Sequence, residues 1–332
     1  TYYEFETDLG AGPVRINYLH INQWKKHYQL LPAVPSTGVG TLGYLDEIAA
    51  EHGAVAAINA NFFDTATNLP VGLLIVNGTP LSSNYKRRAA LGIDLLGGLT
   101  FFNPVVSIYL RTEERRKIGI DDVNRPINSN ELIGYTPGYS GQITRGNLRS
   151  LRVLKVEDER VTASNAELYV KADPSVSLIV ADGTARDRLA GIEVGDEANL
   201  EFTLDQGGLL ITDVISAGPL LFHGGVDVLD PEKEGFRPDS ALVNGLTSRS
   251  VIATDRYGGL ILLAVARDQQ SVGADFDDLL SILRSLPVPI RDAIALDGGH
   301  SSSLVFKEGL DYRETSSGGR VAAALLLLPD NR

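Results

Sequence analysis

The sequence predicts an α+β fold with a mostly β core, a few covering helices and a small β-rich insert. Three observations predict it. Short apolar or alternating runs bounded by Gly, Pro, Asn and Asp recur along the chain, as strands do. Only residues 41–52 and 276–286 carry a convincing helical period. The texture turns polar and loop-rich after residue 112 and returns to its first character after 206, as expected of one domain interrupted by an insert. The whole of 1–332 is therefore read as one domain, with the insert at about 145–208.

Composition narrows the function. A chain of 332 residues can bury a large core. A formal charge of -12 disfavours nucleic-acid and anionic-membrane partners. Cys 0 excludes disulfides and thiolate metal sites. No apolar run approaches the length of a membrane span. The chain begins at Thr1 and contains Met 0. It is read as a processed, secreted or periplasmic form from which a signal peptide has been removed.

The first strands are Tyr3-Glu4-Phe5-Glu6 and residues 14–21, both alternating and half-buried. Trp24 is a packing residue rather than a sugar platform. Residues 32–40 are a Pro- and Gly-rich loop. A helix follows over 41–52, with Leu42, Leu45, Ile48 and Ala49 on one face and Gly53 at its end. Residues 54–58 form a buried strand that runs into Asn59-Ala60-Asn61-Phe62-Phe63-Asp64. That cluster reads either as a ligand corner or as an Asx-type turn.

Strands are predicted over 71–76 and 89–93, the first turned by Asn77-Gly78. Lys86-Arg87-Arg88 precedes the second, as a solvated face or as an anion contact through Arg88. Residues 105–110 add a strand. The insert carries strands at 152–156, 167–170, 177–180 and 198–204, with a helical turn at 185–190. After it come strands at 213–216 and 220–222, a polar loop at 230–248, and an Arg249-led strand. A buried strand over 260–266 precedes an Asp275-capped helix over 276–286. Residues 320–328 form the last strand.

The most informative stretch is 292–306, DAIALDGGHSSSLVF. A buried strand delivers Asp297 to its end. Gly298 and Gly299 follow, where backbone can turn tightly or approach a ligand. His300, Ser301, Ser302 and Ser303 then crowd polar groups into one corner. The same string also suits an ordinary Asp-Gly-Gly hairpin turn.

The order of motifs decides between these readings. NANFFD, VGLLIVNG, RRAALGID, VISAGPLLFHGG, an Arg-led strand, SVGADFDDLL, ALDGGHSSSLV and GGRVAAALLLLP follow one another from about residue 14 to 328. This succession resembles the phosphodiester glycosidase family. Its members include enzymes that remove N-acetylglucosamine from a phosphodiester and bacterial exopolysaccharide-related envelope proteins. His300 stands where the family usually has a third glycine, and Ala323 where an Asn is common. Ser250 to Ala253 depart from the usual Arg-Thr-Ala-x-Gly, and Ala266-Arg267-Asp268 from a usual Asp-Gly-Arg.

The resemblance implies a hydrolase acting on the glycosidic bond of a sugar-1-phosphodiester, in envelope polysaccharide or glycoconjugate metabolism. A carboxylate should then face the anomeric carbon, and an arginine should hold the phosphate. Asp297 is the first choice for the carboxylate, with Asp64 as a second and His300 as an acid or base. Arg249 is the first choice for the phosphate and Arg88 the second. Asn59 and Asn61 can orient sugar hydroxyls. Gly298, Gly299, Ser301 and Ser302 can add donors. No cofactor is required. Asp64, Asn59, Asn61 and Asp297 are hard oxygen ligands that can bind Ca²⁺ if the fold gathers them. The alternative is a non-catalytic glycan-binding protein that keeps the fold. A serine hydrolase is disfavoured, because no G-x-S-x-G elbow is present.

Overall fold

The structure is a computed structural model that describes residues 1–84, 86–113, 116–141, 143, 150–164, 176–205, 210–316 and 318–330. Strands far outweigh helices in it, as the fold class requires. The strand predicted at 167–170 lies outside the described residues.

Two antiparallel sheets frame the body. The larger has the order Tyr2–Asp8, Pro13–Ile21, Leu260–Val265, Arg249–Asp255, Ile290–Ala295, Leu220–His223, Val226–Asp227. The other has the order Asp311–Ser316, Ser303–Glu308, Ala56–Asn59, Ala324–Pro329, Tyr28–Ala33. Period two explains how the second sheet is covered on both faces. Ala56, Ile58, Leu304 and Leu325 enter the central core. Their alternates Ala57, Val305, Ala324 and Leu326 pack under the helix Leu45–Glu51 with its Leu45 and Ile48. A third sheet, Leu99–Phe102, Ala90–Asp94, Ile211–Ser216, Leu74–Val76, Thr79–Ser82, closes the core from another side.

Local chemistry sets the element ends. The helix predicted over 41–52 starts at Leu45, because Gly43 is taken up in a two-way backbone bridge with Val321. That bridge also delays the last strand to Ala324. The apolar run at 71–76 breaks at Gly72, whose φ of +95° suits only glycine and whose Cα faces the carbonyl of Ser216. The helix Phe276–Ser285 has the predicted Asp275 cap. Asp275 accepts the amide of Asp278 at 2.8 Å and Asp278 accepts that of Asp275 at 3.2 Å, a reciprocal capping box. Trp24 is buried in the core.

The segment read as an insert at about 145–208 shares its sheets with strands that precede it in the chain. Its strands Leu151–Glu157 and Ser177–Asp182 share a sheet with Leu132–Tyr135 and Asp122–Val123. Val106–Thr112 pairs along its whole length with Ala198–Leu204 and ties the two ends of the lobe together. The lobe has a core of its own, with Leu110, Leu132, Leu154, Ile179 and Leu189. The alternate side chains Ile133, Tyr135, Val153, Leu178 and Val180 enter the main core instead. No helix among the described residues is long and apolar enough to cross a membrane.

Candidate functional site

The stretch around Asp297 is the crossover between the two large sheets. It leaves Ile290–Ala295 of the seven-stranded sheet and enters Ser303–Glu308 of the five-stranded one. Backbone bonds fix it on both sides. The amides of Leu296 and Gly299 donate to the carbonyls of Ser250 and Ser248, and that of Asp297 to Ala60. Gly299–Ser301 forms one short helical turn.

Asn59 closes this arrangement. Its Nδ2 donates to the Asp297 carbonyl at 2.7 Å, and its Oδ1 accepts the amide of Ser303 at 3.1 Å. It is fully buried. Ser302 is equally buried, and its hydroxyl reaches the same Asp297 carbonyl at 3.4 Å.

The Asp297 carboxyl is 8% exposed. Burial pushes its pKa up to about 7. The Ser301 side chain, the Gly298 amide and the charges of Arg88 and Arg249 oppose that shift by favouring the carboxylate. One acid and two guanidiniums therefore share a poorly solvated region, although they come from three separate parts of the chain.

The two arginines are held differently. Arg88 packs its guanidinium carbon 4.3 Å from the ring of Phe62 and 4.0 Å from that of Phe236. Asn84 and Ser216 fix its backbone, through the Arg88 amide and carbonyl respectively. Arg249 is 1% exposed and covers Phe276 at 4.3 Å. Its Nε donates to the carbonyl of Ala274, its Nη1 to Leu242 and its Nη2 to Gly245, at 2.9, 3.0 and 3.0 Å. Burial lowers its pKa to about 10, opposed by Asp275, Asp278 and Asp297. All three nitrogens thus bind backbone, where the sequence reading expected a fork turned to a ligand.

Asn61 lies in the same region and binds the carbonyls of Leu73 and Ser216. Asp64 is engaged by its own turn. Its Oδ1 accepts the amides of Ala66 and Thr67 at 2.9 and 3.0 Å and the Thr67 hydroxyl, so the side chain caps its own turn. It borders a groove of about 490 Å³ against Pro70, Leu81 and Arg125 that no residue of the Asp297 cluster lines. His300 is exposed, with its carbonyl accepting the amide of Gly319. Among the described residues no three His, Asp or Glu side chains are placed to hold a metal. The amide of Asn59, a candidate Ca²⁺ ligand, is bound to backbone at both ends.

The sequence reading missed Glu234. It is buried in a polar loop, and its two oxygens accept the amides of Ala89 and Leu220 at 2.8 Å each. Burial raises its pKa, while those amides and Arg88 oppose the shift. It pins the loop that brings Phe236 against Arg88. A Glu in the run Glu232-Lys233-Glu234 carries no periodic signal that would mark it as buried.

A sequence profile described as phosphodiester glycosidase matches residues 158–328, and that span includes the Arg249 strand and the Asp297 crossover. The chain belongs to the phosphodiester glycosidase family. Solved structures share the fold. A hypothetical protein from Synechocystis is 25% identical with a TM-score of 0.78, over 99% of this chain and 62% of that one. This chain therefore spans less than two thirds of that protein. A Burkholderia pseudomallei protein thought to be exported is 23% identical with a TM-score of 0.71, over 96% of this chain and 74% of its own. The catalytic domain of zebrafish N-acetylglucosamine-1-phosphodiester alpha-N-acetylglucosaminidase, auto-inhibited by its pro-peptide, is 13% identical with a TM-score of 0.52, over 99% and 82%. No curated protein sequence matches the chain.

Proposed function

We propose that this phosphodiester glycosidase family member hydrolyses the glycosidic bond of a sugar-1-phosphodiester, with Asp297 as the reacting carboxylate. The observation that carries the reading is the buried Asp297 carboxyl, whose pKa burial raises to about 7 against the opposing charges of two arginines. Such a group changes charge in the working pH range, as acid–base and nucleophilic roles require.

The bond that breaks joins the anomeric carbon to a phosphate oxygen. Its electron pair leaves with the phosphate, a stable anion that needs little help from an acid. The developing positive charge at the anomeric carbon is met by ionised Asp297, either as nucleophile or as base for the incoming water. Water supplies the new C–O bond, and its proton passes to the carboxylate.

Arg88 is the better phosphate partner. Its flat guanidinium is braced by two aromatic rings, a geometry that presents paired N–H donors to an oxyanion. Arg249 serves instead as an internal brace, since its three nitrogens already hold the 242–245 loop and Ala274. Asn59 and Ser302 set the crossover, and Ser301 and the Gly298 amide stabilise the charged form of Asp297. We place the reaction outside the cytoplasm, on envelope polysaccharide or glycoconjugate.

The test is a panel of sugar-1-phosphodiesters offered to wild type and to Asp297→Asn. Release of free sugar is expected from wild type, with turnover reduced on the order of 10²–10³ in the variant. Equal turnover by both would remove Asp297 from the chemistry. Binding without turnover across the panel would leave a glycan-binding protein.

A further inference from the structure

Asn61 presents a buried acceptor that the protein itself does not use. The residue is 1% exposed. Its Nδ2 donates to two carbonyls, Ser216 at 2.8 Å and Leu73 at 3.3 Å. These two acceptors fix the amide orientation, because a flipped amide would set Oδ1 against two carbonyl oxygens. Oδ1 is left over, and it has no hydrogen-bond partner among the described residues. A buried acceptor that the protein does not pair destabilises a fold unless a group from outside the chain completes it, and a substrate donor is one such group.

Its surroundings say which ligand. Ala60, on one side in the chain, accepts the amide of Asp297 at 2.9 Å. Phe62, on the other side, carries the guanidinium of Arg88. Ser216, whose carbonyl Asn61 binds, donates its hydroxyl to the Arg88 carbonyl at 2.9 Å. The free oxygen thus belongs to the stretch that links the Asp297 crossover to the Arg88 stack.

We infer that Asn61 Oδ1 is a specificity-determining acceptor for a hydrogen-bond donor, hydroxyl or amide N–H, on the glycosyl half of the substrate. The inference rests on the roles given above to Asp297 and Arg88. With the anomeric carbon assigned to one and the phosphate to the other, the ring substituents are the polar groups still to be recognised. Asn59, the neighbour of the same type, is excluded because both ends of its amide are bound within the protein. A hydroxyl side chain in place of Asn61 would accept or donate as the ligand required. A locked amide can only accept, so it rejects any group that cannot donate.

The experiment measures binding by calorimetry and scores turnover separately, on the panel of sugar-1-phosphodiesters described above. The probes are glucose-1-phosphate, N-acetylglucosamine-1-phosphate and analogues in which each ring hydroxyl in turn is replaced by fluorine. Fluorine keeps the size but donates nothing. Wild type should lose on the order of 10- to 100-fold in affinity at one position. Asn61→Ala should abolish that loss, and Asn61→Asp, which keeps an oxygen acceptor but not the Nδ2 donors, should retain it. A merely structural Asn61 would make the two variants behave alike. All analogues binding wild type equally, or the loss surviving in Asn61→Ala, overturns the inference, and the first of these needs no variant. A positional loss in binding without any turnover leaves the acceptor standing and removes the hydrolase. Turnover without a positional loss does the reverse, and failure of both parent sugar phosphates to bind overturns the acceptor while the phosphodiester panel decides the hydrolase.

Discussion

Asn59 holds the Asp297 crossover at two points, donating to the Asp297 carbonyl at 2.7 Å and accepting the amide of Ser303 at 3.1 Å. One buried side chain therefore fixes both where the seven-stranded sheet releases the chain and where the five-stranded sheet receives it. Asn59→Leu keeps the approximate volume and removes both bonds, leaving a buried carbonyl and a buried amide to seek partners. A loss of about 2–4 kcal/mol in urea unfolding is expected. A loss below about 0.5 kcal/mol would show that the backbone bonds of the crossover hold it unaided.

Arg249 and Arg88 should respond differently to the same substitution. Arg249→Lys cannot span three carbonyls with one ammonium, so at least one buried oxygen loses its donor. Stability should fall by about 1–3 kcal/mol, read as a lower thermal midpoint. Arg88→Lys keeps the charge but loses the plane that lies against Phe62 and Phe236. It should raise KM for sugar phosphodiesters about tenfold and leave neutral aryl glycosides nearly unchanged. The reverse pattern, with Arg249→Lys acting on phosphodiester KM, would return the phosphate to Arg249.

The two glycines of the crossover are not equivalent. Gly299 has a φ of +66°, in the left-handed region that costs a side-chain-bearing residue about 1–2 kcal/mol. Gly298 has an ordinary φ of -106°, and an added Cβ would lie 3.2 Å from the Ser248 carbonyl. Gly299→Ala should therefore destabilise more than Gly298→Ala, compared by urea midpoints. Gly298→Val adds methyl groups towards Arg249 and should be worse than Gly298→Ala. Equal midpoints for the two alanine variants would mean that the loop relaxes freely.

Much of this architecture is legible in the chain, for physical reasons that also explain what is not. A buried strand such as Leu260–Val265 announces itself as an apolar run, because both of its faces are covered. The helix Phe276–Ser285 shows its period and its acidic cap. Asp311–Ser316 is an edge strand whose exposed and covered residues follow no regular alternation, so its pattern carries no strand signal. The lobe begins before its apparent start because Val106–Thr112 resembles the core strands that precede it, and its partner Ala198–Leu204 lies far along the chain. At the site, strand-end residues Asn59 and Asp297 are visible as acids and amides after apolar runs. Which arginine binds backbone is decided by loops at 242–245 and 274, and no local pattern encodes that choice.

The ionisation of Asp297 should leave a signature in the pH dependence of stability. Its pKa in the folded protein is raised from 3.8 to about 7, chiefly by burial. Below the lower value the group is protonated whether the chain is folded or not, and its contribution to stability is fully present. Between the two values the folded protein keeps a proton that the unfolded chain has released, so stability falls as pH rises. The slope from this group is at most about 1.4 kcal/mol per pH unit, and the fall ends above about pH 7. The total is on the order of 4 kcal/mol. Asp297→Asn has no proton to lose, so its stability relative to wild type should rise by that order between pH 4 and pH 8. Urea unfolding of both proteins at the two pH values measures it. Over the same range the wild-type kcat/KM for a phosphodiester should rise through half its maximum near pH 7 and level off about one unit above, because the carboxylate is the reacting form. A stability difference that does not change with pH would mean that Asp297 titrates as an exposed acid. The basis for its role in the reaction would then be lost.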